Sequence, residues 1–141
     1  MTTQDTTYNG WTNRETWAMG LWIDNEYGWR TDVDAMAGAL LNDGWDSIPD
    51  WIETQTQAFG YLQYRLSDQI KEYMEAMFDI DEGLMEPRQI IALLHDIGSL
   101  YRVDYGSIAS HYIDAALERN DMMGNVLIDA INEYRLETAK S

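Results

Sequence analysis

The chain has 141 residues, 45% apolar, with twenty-five acids against nine bases and a net charge of −16. That length and apolar content suit one globular domain with a core of its own, and exclude a disordered polymer. The acidity argues against direct nucleic-acid binding, which needs a basic footprint, and favours attraction to basic surfaces. The absence of cysteine rules out disulfides, a thiol nucleophile and thiolate metal sites.

No apolar run approaches the roughly 20 residues that span a bilayer. The start MTTQDTTYNG lacks the basic and then apolar layout of a secretory signal. The expectation is therefore a cytoplasmic protein with no membrane contact. Residues 1–10 are expected to form a flexible tail, and 11–141 a single helical domain.

Sustained two-residue alternation is missing, whereas helical spacing recurs along the whole chain. The first helix is predicted from Thr12, with Thr12 and Glu15 as a capping box. Trp17 with Leu21 and Ala18 with Trp22 are four apart and give one apolar face. A second helix runs from about Asp32 to Asn42, capped by Thr31 and stopped by Gly44, with Val33, Met36, Ala37, Leu40 and Leu41 inward. The third is predicted from Pro49 to about Phe78, with Ser47 as cap and Gly60 as the place for a kink. Its inward row is Ile52, Phe59, Leu62, Leu66, Ile70, Tyr73 and Met77.

Helix four starts at Pro87, carries Ile90, Ile91, Leu94 and Ile97, and stops at Gly98. A fifth spans Asp104 or Tyr105 to Arg119, and a sixth Gly124 to Leu136. The fold class is all-α: a compact bundle of five or six helices, with room for a minor strand around Leu100–Val103.

Catalytic and metal signatures fail on inspection. A di-iron bundle needs Glu three residues before each histidine, but Ala92 precedes His95 and Ile108 precedes His111. His95 is read instead as a hydrogen-bonded packing residue. Asp79, Asp81 and Gly83 begin like a calcium loop, yet its sixth and twelfth positions are Leu84 and Ile90 instead of Gly and Glu. There is no nucleophile elbow, P-loop or dinucleotide fingerprint. The expectation is a non-enzyme with no cofactor and no metal.

One pattern stands out. Asp68, Glu72, Glu75, Asp79 and Glu82 recur at spacings of 4, 3, 4 and 3, on the helix face opposite Ile70 and Met77. Like charges so placed cost a helix a few tenths of a kcal/mol per pair, and Lys71 is expected to point to another side. A second acidic zone comprises Asp24, Glu26, Asp32, Asp34, Asp43, Asp46, Asp50 and Glu53.

Duplex DNA carries one charge per ~1.7 Å, so the full charge matches about 27 Å of duplex. A domain of this length is some 35–40 Å across. Imitation of DNA therefore requires that acids from several helices share one side. The candidate partner-binding residues are Asp68, Glu72, Glu75, Asp79 and Glu82, with Asp43, Asp46 and Asp50.

The opening YNGWTNRETWAMGLWIDNE and the later VDYGSIASHYID resemble a family of small, mostly uncharacterised proteins of phages, plasmids and archaea. Its opening reads NGW-x-N-x-ETW-x-x-x-LW before an acidic segment. The matching positions are Asn9, Gly10, Trp11, Asn13, Glu15, Thr16, Trp17, Leu21 and Trp22, then Ile108, Ala109 and His111. The chain departs from the commoner form at Arg14, where an aromatic is frequent, and at Met19-Gly20.

The resemblance assigns packing partners and not chemistry: Trp17 and Trp22 against Ile108 and Tyr112, with His111 reaching a polar group near the first helix. It also implies a mobile element as source. The functional expectation is an acidic, non-enzymatic DNA mimic that binds the basic nucleic-acid-binding surface of a host defence protein, of restriction or CRISPR type. The alternative is a helical adaptor that docks through an apolar patch of Trp29, Trp45 and Trp51, its acids serving solubility. Either is compatible with a homo-oligomer.

Overall fold

A computed structural model describes residues 9–43 and 48–139, Asp43 by its backbone alone. The expected stop at Gly44, the cap at Ser47, Trp45, Asp46 and the tail before Asn9 lie outside the described residues. Six helices account for the fold: α1 Arg14–Asn25, α2 Tyr27–Asp43, α3 Gln55–Phe78, α4 Pro87–Ile97, α5 Tyr105–Arg119 and α6 Val126–Ala139. No strand occurs among the described residues; Leu100–Arg102 is a 3₁₀ turn instead of the minor strand the sequence left room for.

α1 begins one residue later than predicted. Asn13 is the cap, and its side chain accepts the Thr16 N–H at 2.8 Å. Thr12 turns away and donates to Asp104 Oδ2 at 2.8 Å. Glu15 does not close a capping box; Arg102 Nε lies 3.2 Å from its Oε2. The buried stripe of α1 is Thr16, Ala18, Met19, Gly20 and Ile23, while Leu21 is 39% exposed and Trp17 and Trp22 are half-buried at the edge. The apolar face is thus rotated from the one the tryptophans suggested.

α2 starts at Tyr27, five residues ahead of Asp32. The Arg30 N–H already bonds the Glu26 carbonyl at 2.9 Å, so Thr31 sits inside a formed helix and caps nothing. α3 starts later than Pro49. Pro49 belongs to a turn closed by the Ile52 N–H on its carbonyl at 3.2 Å. Thr54 and Gln57 then form a reciprocal capping box.

α3 runs unbroken through Gly60 and buries Ala58, Leu62, Leu66, Ile70 and Met74, with Phe59, Tyr73 and Met77 half-buried. It ends at Phe78 because Asp79 is extended and its carboxylate takes the Asp81 N–H at 2.9 Å. A 3₁₀ turn, Ile80–Glu82, follows and closes on Gly83 at φ +69°, where a side chain would be strained.

α4 has Pro87 in its first turn and a box between Glu86 and Gln89. Its buried row is Ile90, Leu93 and Ile97, while Ile91 is 68% exposed. α3 lies at the centre, against α5, α2 and α6, while α1 packs on α2, α4 and α5. Gln55 ties the start of α3 to α6, taking the Ile128 N–H at 2.7 Å and donating to the Met122 carbonyl at 3.2 Å.

Candidate functional site

The opening motif builds a clasp. Thr16 is fully buried, and its hydroxyl donates to Asn13 Oδ1 at 2.7 Å while accepting the Asp104 N–H at 2.8 Å. Asn13 Nδ2 donates to the Arg102 carbonyl at 2.7 Å. Asp104 in turn caps α5 by accepting the Ser107 N–H. Arg14 donates to the carbonyls of Asp96 and Ile97, at 2.9 and 3.3 Å, and so neutralises the negative end of α4. Trp22 Nε1 donates to Asp96 Oδ2 at 2.8 Å.

The tryptophan stacked on α5 is Trp11, not the expected Trp17 or Trp22: its ring lies 3.9 Å from that of His111, nearly parallel at 22°. Among the described residues His111 meets the motif through its ring face, where a polar contact is expected. Gly20 fits beneath Trp11, since a Cβ there would fall 3.0 Å from the indole. The Arg14 and Gly20 departures thus each have a structural use.

Beside the clasp is a cavity of about 200 Å³ lined by Trp11, Asp24, Arg30, Asp34, His111 and Tyr112. Both of its carboxylates and its phenol have protein partners. The Tyr112 hydroxyl donates to Asp24, and Arg119 lies 3.7 Å from Asp34. Among the described residues no three His, Asp or Glu side chains gather closely enough to hold a metal. His95, expected to pack, is exposed in the last turn of α4.

The acidic stripe is shorter than its spacing suggested. Asp68, Glu72 and Glu75 are exposed on α3. Asp79 and Glu82 are exposed too, but they follow the helix end and leave its face. Lys71 does not point elsewhere: it lines, with Glu75, a cavity of about 340 Å³ bounded also by Phe78, Tyr101 and Tyr105. Asp50 is exposed on the turn before α3; the side chain of Asp43 and all of Asp46 lie outside the described residues.

Three acids of the second zone serve as internal ties. Besides Asp24 and Asp34, Asp32 accepts from the Tyr73 hydroxyl at 2.6 Å. Tyr73 lies toward the core side of α3, about 140–160° around the helix from Asp68 and Glu75, so this bond fixes α2 against α3 without bringing its acids onto the stripe.

Burial, and then a carboxylate acceptor, pushes the Tyr73 and Tyr112 hydroxyls above the ordinary phenol range. Tyr105 is pushed up to about 12, by burial and then by the charge of Glu75. The fold holds these phenols neutral, whereas the unfolded chain releases their protons near pH 10. Stability should be intact below pH 10 and fall between about pH 10 and 12, with Tyr105→Phe reducing the slope. Urea midpoints across that window check this; a midpoint that rises contradicts it.

The sequence reading missed the other half of the outer face of α3. Gln57, Tyr61 and Tyr64 precede Asp68 at spacings of 4, 3 and 4, which put them on one side of the helix. Tyr64 is 64% exposed, and Trp51, on the preceding turn, is 59% exposed. The same spacing that revealed the acids could have revealed the tyrosines. Trp29, grouped with Trp51 as an apolar patch, packs partly buried against the core.

Among the described residues no helix is long and apolar enough to cross a membrane. No curated protein and no solved structure matches the chain. A family model does match, over residues 4–126, reaching from before the clasp to the first residue of α6. The chain accordingly belongs to DUF7249, a family of unknown function.

Proposed function

We propose that this is a non-enzymatic interaction protein whose acidic face occupies the basic nucleic-acid-binding surface of a host protein, a defence complex of a cell invaded by a mobile element. The observation that best supports the reading is the exposed row of Asp68, Glu72 and Glu75 along the outer face of α3. A net charge of −16 gives such a face a long reach at low salt and steers it to cationic surfaces.

The adaptor reading has an observation of its own, the exposed Trp51 and Tyr64, and these lie toward the other end of the same α3 face. The two readings differ in salt response, because exposed charge pairs are screened and apolar burial is not. Capture of partners from host lysate tests this. A partner that handles nucleic acid, held at low salt and displaced both by high salt and by added duplex DNA, supports mimicry. A partner retained under both treatments favours the aromatic patch.

A further inference from the structure

Pro49, Trp51, Gln57, Gly60, Tyr61 and Tyr64 line an open groove of about 500 Å³ on the outer face of α3. The turn that carries Trp51 is fixed on both sides. Ile48 and Ile52 are buried, and Arg135 of α6 donates to the Ile52 and Pro49 carbonyls at 2.8 and 2.9 Å. Anchored backbone with an outward indole is the preorganised arrangement that makes tryptophan effective at interfaces.

Three carboxylates stand close along the chain to residues that line the groove. Asp50 neighbours Trp51, Glu53 follows two residues on, and Asp68 is one helical turn beyond Tyr64; all three are exposed. Aromatic faces with carboxylates nearby suit a cation with a flat or apolar surface. The chain carries one such pair already on the groove's flank: the Arg65 guanidinium lies 5.8 Å from the Tyr61 ring centre and donates to its hydroxyl at 2.9 Å.

Stacked nucleobases would also suit the aromatic rings, but their phosphates would meet the nearby acids of a −16 chain. A second copy would bring a further −16 against the first. We infer that this groove receives an arginine side chain of the basic partner surface, its guanidinium stacked on Trp51 and Tyr64 and its charge met by Asp50, Glu53 and Asp68. The inference rests on the reading of the protein as a binder of basic protein surfaces, and it names the side chain recognised.

Calorimetric titration of the full chain with an octa-arginine and an octa-lysine peptide tests it. Both peptides carry the same charge, so long-range attraction to the acids is alike for the two; stacking on the rings adds about five- to tenfold for arginine. That preference should vanish in Trp51→Ala and in Tyr64→Ala, each checked for an unchanged helical spectrum and melting point, while octa-lysine binding stays as in the parent. Equal affinity for the two peptides overturns the inference, as does an arginine preference that survives both substitutions. Tighter binding of single-stranded oligothymidine, or Trp51-dependent self-association, overturns it as well. Loss of the arginine preference leaves the salt-sensitive capture of a partner unaffected, so failure here and failure of the broader reading are told apart.

Discussion

Asn13→Ala is expected to destabilise the protein by about 2–3 kcal/mol, a fall in melting temperature of about 4–10 °C. The cap itself accounts for about 1 kcal/mol. The remainder comes from what the side chain leaves behind: the Arg102 carbonyl and the O–H of the buried Thr16 each lose their short bond and keep only the long one to each other, at 3.5 Å. Thr16 also holds the Asp104 N–H at the start of α5, so the loss spreads to the α1–α5 junction. Asn13→Asp keeps the acceptor oxygens and loses the donor, and it should cost less. Urea unfolding followed by circular dichroism checks both; equal effects would mean that the contact with Arg102 dominates and the cap contributes little.

Leu66→Ala should cost about 2–5 kcal/mol, through lost burial and the cavity left in a packed interior. Leu66 is fully buried midway along α3, the helix against which α5, α2 and α6 all pack. The net charge of −16 adds self-repulsion that salt screens. The variant should therefore recover part of its lost melting temperature when salt is added. A cost below about 1 kcal/mol would contradict the central place of α3.

Helix identity was legible because apolar spacing is a local property. α4 and α5 stand where Pro87, Gly98 and Arg119 put them, and α3 stops at Phe78 as the pattern required. Helix starts were less legible. Thr12 and Asn13 can both cap, and the choice is made by Asp104 and Arg102, about ninety residues away in sequence. Pro49 is the more conspicuous start signal, but Thr54-x-x-Gln57 is the pattern that satisfies two N–H groups at once.

The acids show why a face cannot be assigned from charge alone. Asp24 and Asp32 carry the same letter as Asp68, yet they accept hydrogen bonds from Tyr112 and Tyr73, which lie 88 and 41 residues along the chain. Periodicity reports which side of a helix a residue occupies. Only packing decides whether that side meets water or another helix. The aromatic half of the α3 face obeyed the same periodicity, but tyrosines on an outward row read as ordinary surface until Trp51 is seen beside them.

The most direct test of the acidic face compares two variants of equal charge. One carries Asp68→Asn, Glu72→Gln and Glu75→Gln on α3. The other carries Glu118→Gln, Glu133→Gln and Glu137→Gln, exposed positions on α5 and α6. Each is presented to the captured partner at low salt, with duplex DNA as competitor. Loss of binding in the first variant and retention in the second is the predicted result. Equal retention, or equal loss, would mean that the α3 acids are a solvated surface or that charge acts without regard to place, and either would contradict the assignment of that face as the working surface.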